Sequence, residues 1–317
     1  MANENIEVIC IGQAVLDCIT KGWDGGFLNS IAGLTDSIDL APGGDAYNEA
    51  IILSRLGHRV QVMCRLGQDI AGNIITEKLT ENTVDTNAIF YSHNSPTPVA
   101  ILLVASDGSR RSINSASQQA YTFEPDTTLL RGAKIVSLAS LFRIPFIRPK
   151  TILAICQAAK SNGATVIADT KLAYNNQLTL TDIKAALPYI DYIFPNETEA
   201  KYYTQKKEYS EMADVFLDYG VKNVIIKTGS RGCFVKNSQE CFTMPAYDVD
   251  AYDTTGAGDN FVAGFISSTI RGLPLRKAVE FSVGCAALCV QSVGGTSGIQ
   301  NREQVEAFIL SGVPRKL

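Results

Sequence analysis

Six short runs of aliphatic and β-branched residues punctuate the chain: Val8-Ile9-Cys10-Ile11, Val60-Gln61-Val62-Met63, Ile135-Val136-Ser137-Leu138, Thr165-Val166-Ile167-Ala168, Tyr192-Ile193-Phe194 and Val224-Ile225-Ile226. Segments of helix length separate most of them. A strand with little polar alternation has no face to give to water, so it must be covered on both sides, as in a parallel sheet flanked by helices. The pattern predicts an α/β fold, a doubly wound and mostly parallel sheet with helices on both faces, formed by residues 1–317 as a single domain.

One region departs from this alternation. Pro96-Thr97-Pro98 leads into Val99 to Val104, Ser106-Asp107-Gly108-Ser109 supplies a turn, and Arg110 to Asn114 follows, which reads as a β-hairpin. With the stretch 85–92 it predicts a small β-sheet standing off the core, built from segments within about 12–40 and 85–117 and acting as a lid over a cleft. A protruding sheet invites pairing with a second copy, so a homodimer through the lid is expected.

Composition narrows the function. With 46% hydrophobic and 19% charged residues the chain is neither disordered nor fibrous. No apolar run reaches the ~18 residues of a membrane span, and the polar, acidic start lacks a secretory leader's basic and apolar regions, so a cytoplasmic protein is expected. The net charge of −4, without a Lys/Arg cluster, argues against a nucleic-acid surface. The eight cysteines include no C-x-x-C pair, and Cys285 and Cys289 lack further ligands for a metal, so buried thiols are the better reading. Only His58 and His93 are available for a histidine-based triad.

The densest chemical signal is Tyr252-Asp253-Thr254-Thr255-Gly256-Ala257-Gly258-Asp259-Asn260, a loop feeding an apolar, helix-length run. Glycine lets the backbone approach a ligand, and the first N–H groups of a helix are unpaired donors at the positive end of its dipole. The amides of Gly256, Ala257 and Gly258 therefore suit a phosphate-sized anion. Asp259 taken alone reads as an N-terminal cap. Beside an anion hole it also reads as a general base that accepts the proton of an attacking hydroxyl. No G-x-x-x-x-G-K-[ST] occurs, and Gly12-Gln13-Ala14 after the first strand supplies one glycine where a dinucleotide fold wants three.

The run Asp253 to Asp259 resembles the C-terminal signature of the ribokinase family, the PfkB carbohydrate kinases. Far upstream, Pro42-Gly43-Gly44-Asp45-Ala46-Tyr47-Asn48-Glu49-Ala50 with Leu53-Ser54-Arg55-Leu56-Gly57 resembles the family's glycine-glycine motif and its helix. Phe194-Pro195-Asn196-Glu197-Thr198-Glu199-Ala200 is similar to its Asn-x-x-Glu motif, and Lys227-Thr228-Gly229-Ser230-Arg231-Gly232 to its nucleotide-binding strand and turn. The resemblance implies an ATP-dependent kinase for a hydroxyl of a small sugar or sugar-like acceptor, with Asp259 as base and the 256–258 loop as anion hole. It implies that Asn196 and Glu199 organise Mg²⁺ through water, that Thr228, Gly229 and Gly232 line the nucleotide side, and that Asp17, Gly43, Gly44 and Asn48 bind the acceptor. It also implies a monovalent cation, K⁺, held by Asp253, the carbonyl of Thr255 and the 292–297 loop.

Other readings of these residues stay open. Asn196 three residues before Glu199 is by itself a capping box, and Thr228 to Gly232 an ordinary turn. Asp45 stands where ribose-binding members of the family that the chain resembles have lysine; it is either a substrate contact or a surface turn residue. Arg110 and Arg111 could reach an anionic group on the substrate, though exposed strand charge is the commoner role. A nucleoside acceptor would want an apolar wall, for which Tyr47, Trp23 and Phe27 are candidates. A non-catalytic sugar or nucleotide sensor on the same fold would have no need of Asp259.

Overall fold

The computed structural model describes residues 6–23, 33–105, 110–114, 123–173 and 178–315. The main sheet has eight strands in the order β14-β13-β12-β11-β10-β9-β1-β4. These are β1 (Val8–Ile11), β4 (Val60–Met63), β9 (Ile135–Leu141), β10 (Thr165–Thr170), β11 (Tyr192–Phe194), β12 (Asn223–Lys227), β13 (Cys233–Asn237) and β14 (Cys241–Met244). All six apolar runs lie in it and pair in parallel, while β13 and β14 extend it antiparallel.

Strand β1 shows why these runs are apolar throughout. Val8 and Cys10 enter the core on one face, Ile9 and Ile11 the core on the other, and all four are buried. Each buried aliphatic side chain contributes about 1.5–3 kcal/mol relative to an exposed one. The first face is covered by α1 (Asp45–Arg55), α2 (Ile70–Glu81), α6 (Ala257–Ile270), α7 (Leu275–Val290) and α8 (Arg302–Ser311). The second is covered by α3 (Pro149–Ser161), α4 (Glu197–Thr204) and α5 (Tyr209–Asp218).

The strand order reverses at β1, which pairs with β4 on one side and β9 on the other. At such a switch point the connections leave in opposite directions and open a crevice beyond the carboxyl ends of the strands. Gly12 follows β1 there, and Asp169, Thr170 and Lys171 close β10.

A separate four-stranded sheet has the order β3-β2-β7-β8, formed by β2 (Val15–Trp23), β3 (Ser37–Gly43), β7 (Val99–Ala105) and β8 (Arg110–Asn114). β7 and β8 are the antiparallel hairpin that the turn at 106–109 predicts. The stretch 85–92, grouped with this sheet on sequence, contributes β6 (Phe90–Ser92) to a two-stranded sheet with β5 (Arg65–Gly67) instead. Among the described residues no helix is long and apolar enough to cross a membrane.

Candidate active site

Between the small sheet and the crevice at β1 lies a cavity of about 760 Å³, a size suited to small ligands. The sequence motifs, hundreds of residues apart, meet in its wall. Asp17, Gly43, Gly44 and Asn48 line it from the small sheet and the start of α1; Asp253 and Thr255 to Asp259 line it from the start of α6; Asn196, Gly229 and Gly232 line it from the loops after β11 and β12. Thr228 and Glu199 lie behind this wall. Both are buried, and the Thr228 amide closes its turn on the Gly232 carbonyl at 2.8 Å.

Gly256 caps α6 in the left-handed region, with φ of +73°, and its Cα packs against Gly295 so closely that a methyl would come within 2.5 Å of the Gly295 Cα. A side chain is disfavoured on both counts. The two loops are tied by Asn260, whose Nδ2 donates to the carbonyls of Gly256 (2.8 Å) and Gly295 (2.6 Å). At Gly258 a methyl would lie 3.2 Å from the Lys227 ammonium, which also pairs with the buried Asp169. That cation was not singled out in the motif reading, and it flanks the proposed anion hole.

Asp259 is buried at the third position of α6 and points inward. Its Oδ2 accepts a 2.7 Å hydrogen bond from Asn48 Nδ2, so the two glycine motifs are joined by a single contact between side chains 211 positions apart. Its Oδ1 accepts no hydrogen bond among the described residues and faces the Lys171 ammonium at 3.6 Å. Burial raises the Asp259 carboxyl to about 7; Lys171 and the Asn48 bond pull it down, while Asp45 and Asp169 push it up. A carboxylate titrating near neutrality is matched to proton transfer at physiological pH.

The wall around Asp17 has a different character. Asp17 projects from β2 towards Gly43, where a methyl would come within 2.7 Å of its Oδ2, so glycine at 43 makes room for this carboxylate. No described residue donates a hydrogen bond to Asp17, and burial raises it to about 6. Asp45 is no surface turn residue: it opens α1 and lines the cavity, accepting from Ser140 Oγ at 2.6 Å and pairing with Lys171 at 3.1 Å. Burial opposes its charge, but Lys171, Ser140 and Arg143 hold its carboxyl below the ordinary value. Arg111 is exposed in the register row of Leu103 and Thr20, which does not line the cavity; the side chain of Arg110 lies outside the described residues. Of the aromatic candidates, Tyr47 is packed in the core, Phe27 lies outside the described residues, and the Trp23 side chain is likewise not described.

Asn196 and Glu199 form the capping box that their spacing alone indicates. Asn196 Oδ1 accepts from the Glu199 amide at 2.9 Å, and Glu199 accepts from the Asn196 amide at 2.9 Å. Asn196 Nδ2 and Thr170 Oγ1 also donate to Glu199, at 2.7 and 2.8 Å. Both carboxylate oxygens are thereby engaged, so this pair suits Mg²⁺ held through water rather than by direct ligation, in line with that ion's reluctance to dehydrate. Nearby, Asp253 accepts from the amides of Thr255 (2.8 Å) and Gly294 (2.9 Å), bringing its carboxylate, the Thr255 carbonyl and the 292–297 loop together. The Asp253 carboxylate and the Thr255 carbonyl are oxygen donors, as a monovalent cation requires, although the loop presents its Gly294 amide to Asp253 and the Cys289 thiol donates to the Thr255 carbonyl at 3.3 Å.

At its other end the cavity is apolar, lined by Ala246, Tyr247, Val249, Val283, Ala287 and Val290. No motif marks these residues, because apolar positions on a helix such as α7 look the same whether they meet a ligand or the core.

Residues 5–302 match the family model of the pfkB family carbohydrate kinases. The chain belongs to the PfkB family. It is a carbohydrate kinase, a phosphotransferase with an alcohol group as acceptor. It is 28% identical over 275 residues to a ribokinase of Haemophilus influenzae, covering 85% of this chain and 88% of that one. It is 30% identical over 270 residues to an ATP-dependent ribose-1-phosphate kinase of Halopiger xanaduensis, covering 84% and 86%. In three dimensions it resembles a ribokinase from Thermotoga maritima with a TM-score of 0.81 and 25% identity, over 96% of this chain and 99% of that one. It shares its fold with an Arabidopsis thaliana ribokinase solved with ribose and ATP, at a TM-score of 0.80 and 24% identity, over 98% and 99%.

Proposed function

We propose that this PfkB-family kinase is a cytoplasmic enzyme that transfers the γ-phosphoryl group of Mg²⁺-bound ATP to a hydroxyl of a small, uncharged sugar. The observation that carries this reading is Asp259, a buried carboxylate held by Asn48 with one oxygen left for a proton, set beside the amides of Gly256, Ala257 and Gly258. Asp259 takes the acceptor's hydroxyl proton as the oxygen attacks phosphorus; the bond from phosphorus to the bridging oxygen breaks, and ADP leaves with its electron pair. The Gly256 and Gly258 amides and Lys227 offset charge on the transferring group, where preorganised donors are worth most; the Ala257 amide, which meets the Thr254 carbonyl at 3.3 Å, would join them on leaving it. Mg²⁺ supplies charge neutralisation on the phosphates, and Asn196 and Glu199 would hold its water shell.

Asp17, Gly43, Gly44 and Asn48 bind the acceptor. A carboxylate with no other described donor takes hydrogen bonds from vicinal hydroxyls, and its charge makes an anionic acceptor unfavourable. For a nucleoside acceptor, Tyr47 is removed as a wall for the base because it packs in the core. Asp253 and the Thr255 carbonyl would hold a monovalent cation, whose charge would steady the anion-hole loop.

The test is ADP release across free sugars, sugar acids, phosphosugars and nucleosides, repeated in potassium, sodium and tetramethylammonium buffers. Turnover confined to neutral sugars and highest in potassium is expected; equal rates in the three buffers would remove the cation. Asp17→Ala should raise the acceptor KM by at least tenfold and leave the ATP KM alone. A change confined to ATP would mean that the acceptor binds elsewhere.

The small sheet acts as the lid, with Ile19, Leu102 and Val104 towards the cavity. Its outer face carries the register row Leu40, Cys18, Ile101 and Ile113, with Ile38 in the next row. Ile38, Leu40 and Ile113 are 65%, 60% and 58% exposed, an apolar face that a second copy of the lid would cover. A dimer by light scattering is expected for the native chain, and a monomer for the double variant Leu40→Glu, Ile113→Glu. A native monomer at micromolar concentration would refute this pairing.

A further inference from the structure

Lys171 belongs to none of the motifs, yet its ammonium lies 3.1 Å from Asp45, 3.6 Å from Asp259 and 3.7 Å from Asp169, in the cavity wall. Its backbone is fixed on both sides: the amide donates to the Leu141 carbonyl at 3.0 Å, and its own carbonyl accepts from the Tyr203 hydroxyl at 2.7 Å. At 3.6 Å the contact with Asp259 Oδ1 is electrostatic and too long for a hydrogen bond, so it favours the carboxylate without consuming the oxygen that must take a proton. The nearer partner of the ammonium is Asp45, itself held by Ser140.

We propose that Lys171, drawn back by Asp45, is a positioning residue that orients Asp259 Oδ1, favours its charged form and leaves it unbonded until the acceptor arrives. The inference rests on the reading of Asp259 as the base. It assigns Asp45 the role of restraining Lys171. The ionisable groups facing this pair are Asp45 and Glu49 from α1, Asp169 from the end of β10, Lys227 from β12 on Asp169, Glu199 from α4, and the Cys289 thiol from α7, with Arg143, in the loop after β9, acting on Asp45.

Opposite shifts follow for two variants. Lys171→Met removes the cation, so the acidic limb of kcat/KM against pH should move up by about one unit, lowering kcat/KM about fivefold at pH 7 and about tenfold well below it, with recovery in alkali. Lys171→Arg should restore the native limb. Asp45→Asn releases the ammonium towards Oδ1, so the limb should move down and the acceptor KM should rise, with the ATP KM unchanged. A merely structural role would lower Tm in these variants and leave the limb in place, which would overturn the proposal, as would shifts of the same sign. Carboxyl-carbon NMR titration of Asp259, assigned with Asp259→Asn, reads the same shifts without turnover. If the native protein phosphorylates nothing, opposite NMR shifts would uphold the positioning by Lys171 while removing the base role. Should Lys171→Met fail to fold, the Arg and Asp45→Asn variants still decide.

Discussion

Asp259→Asn is expected to lower kcat by about 10²–10⁴, the cost of losing a general base, while a non-hydrolysable ATP analogue binds as before. The amide keeps the shape and the Asn48 side of the site, so the loss reports proton acceptance and not collapse. In the native enzyme kcat/KM should rise with pH through about 7, because the base must be unprotonated and burial holds its carboxyl there. Stability should respond in the opposite sense. A carboxyl raised on folding stabilises the native state below its unfolded value of about 3.8–3.9, and this contribution is lost as pH rises through about 7. The variant should therefore gain Tm relative to the native protein at pH 8 and less at pH 5. Nearly full turnover by the variant would remove Asp259 from the chemistry.

Gly256→Ala should be almost as damaging for a mechanical reason. The added methyl meets the Gly295 Cα at 2.5 Å and its carbonyl oxygen at 2.9 Å, and both belong to backbone that Asn260 holds in place. Either loop that yields takes the anion-hole amides with it, and an oxyanion donor moved out of place costs about 10²–10³ in kcat. Gly272→Ala is the control. It has nearly the same φ, +72°, but nothing within 4 Å of the new methyl, so it bears the backbone strain alone and should leave kcat unchanged. If both variants turn over equally well, the close approach of the 256 and 295 loops has no catalytic importance.

The fold was legible where burial leaves a one-dimensional trace. The six parallel strands are apolar because both their faces are covered, and the 106–109 turn announces the β7–β8 pair. Strand β6 misleads because a three-residue run carries too little pattern to choose its partner, and it joins β5. At the site, glycines declare themselves because backbone geometry is local. Lys171 does not, since a lysine ending a strand reads as ordinary surface charge until the fold brings Asp45, Asp169 and Asp259 around it. Asp45 likewise looked equally like a turn residue, and only its bonds to Ser140 and Lys171 decide between the two. Asn196 and Glu199 show the converse: the local capping reading is what the geometry contains, and any service to Mg²⁺ is added through water to a helix start already complete.

Strand β3 ends at Gly43, paired with Val15, and the next residue, Gly44, already caps α1. No slack chain separates the small sheet from the helix that carries Asp45 and Asn48. The sheet is thus coupled to the start of α1 like a lever to its fulcrum: a swing about the Val15 and Gly43 pair would carry Asp17, two positions along the same strand, with it. If the sheet closes over an acceptor as proposed, closure and the placing of Asp17 would be one movement.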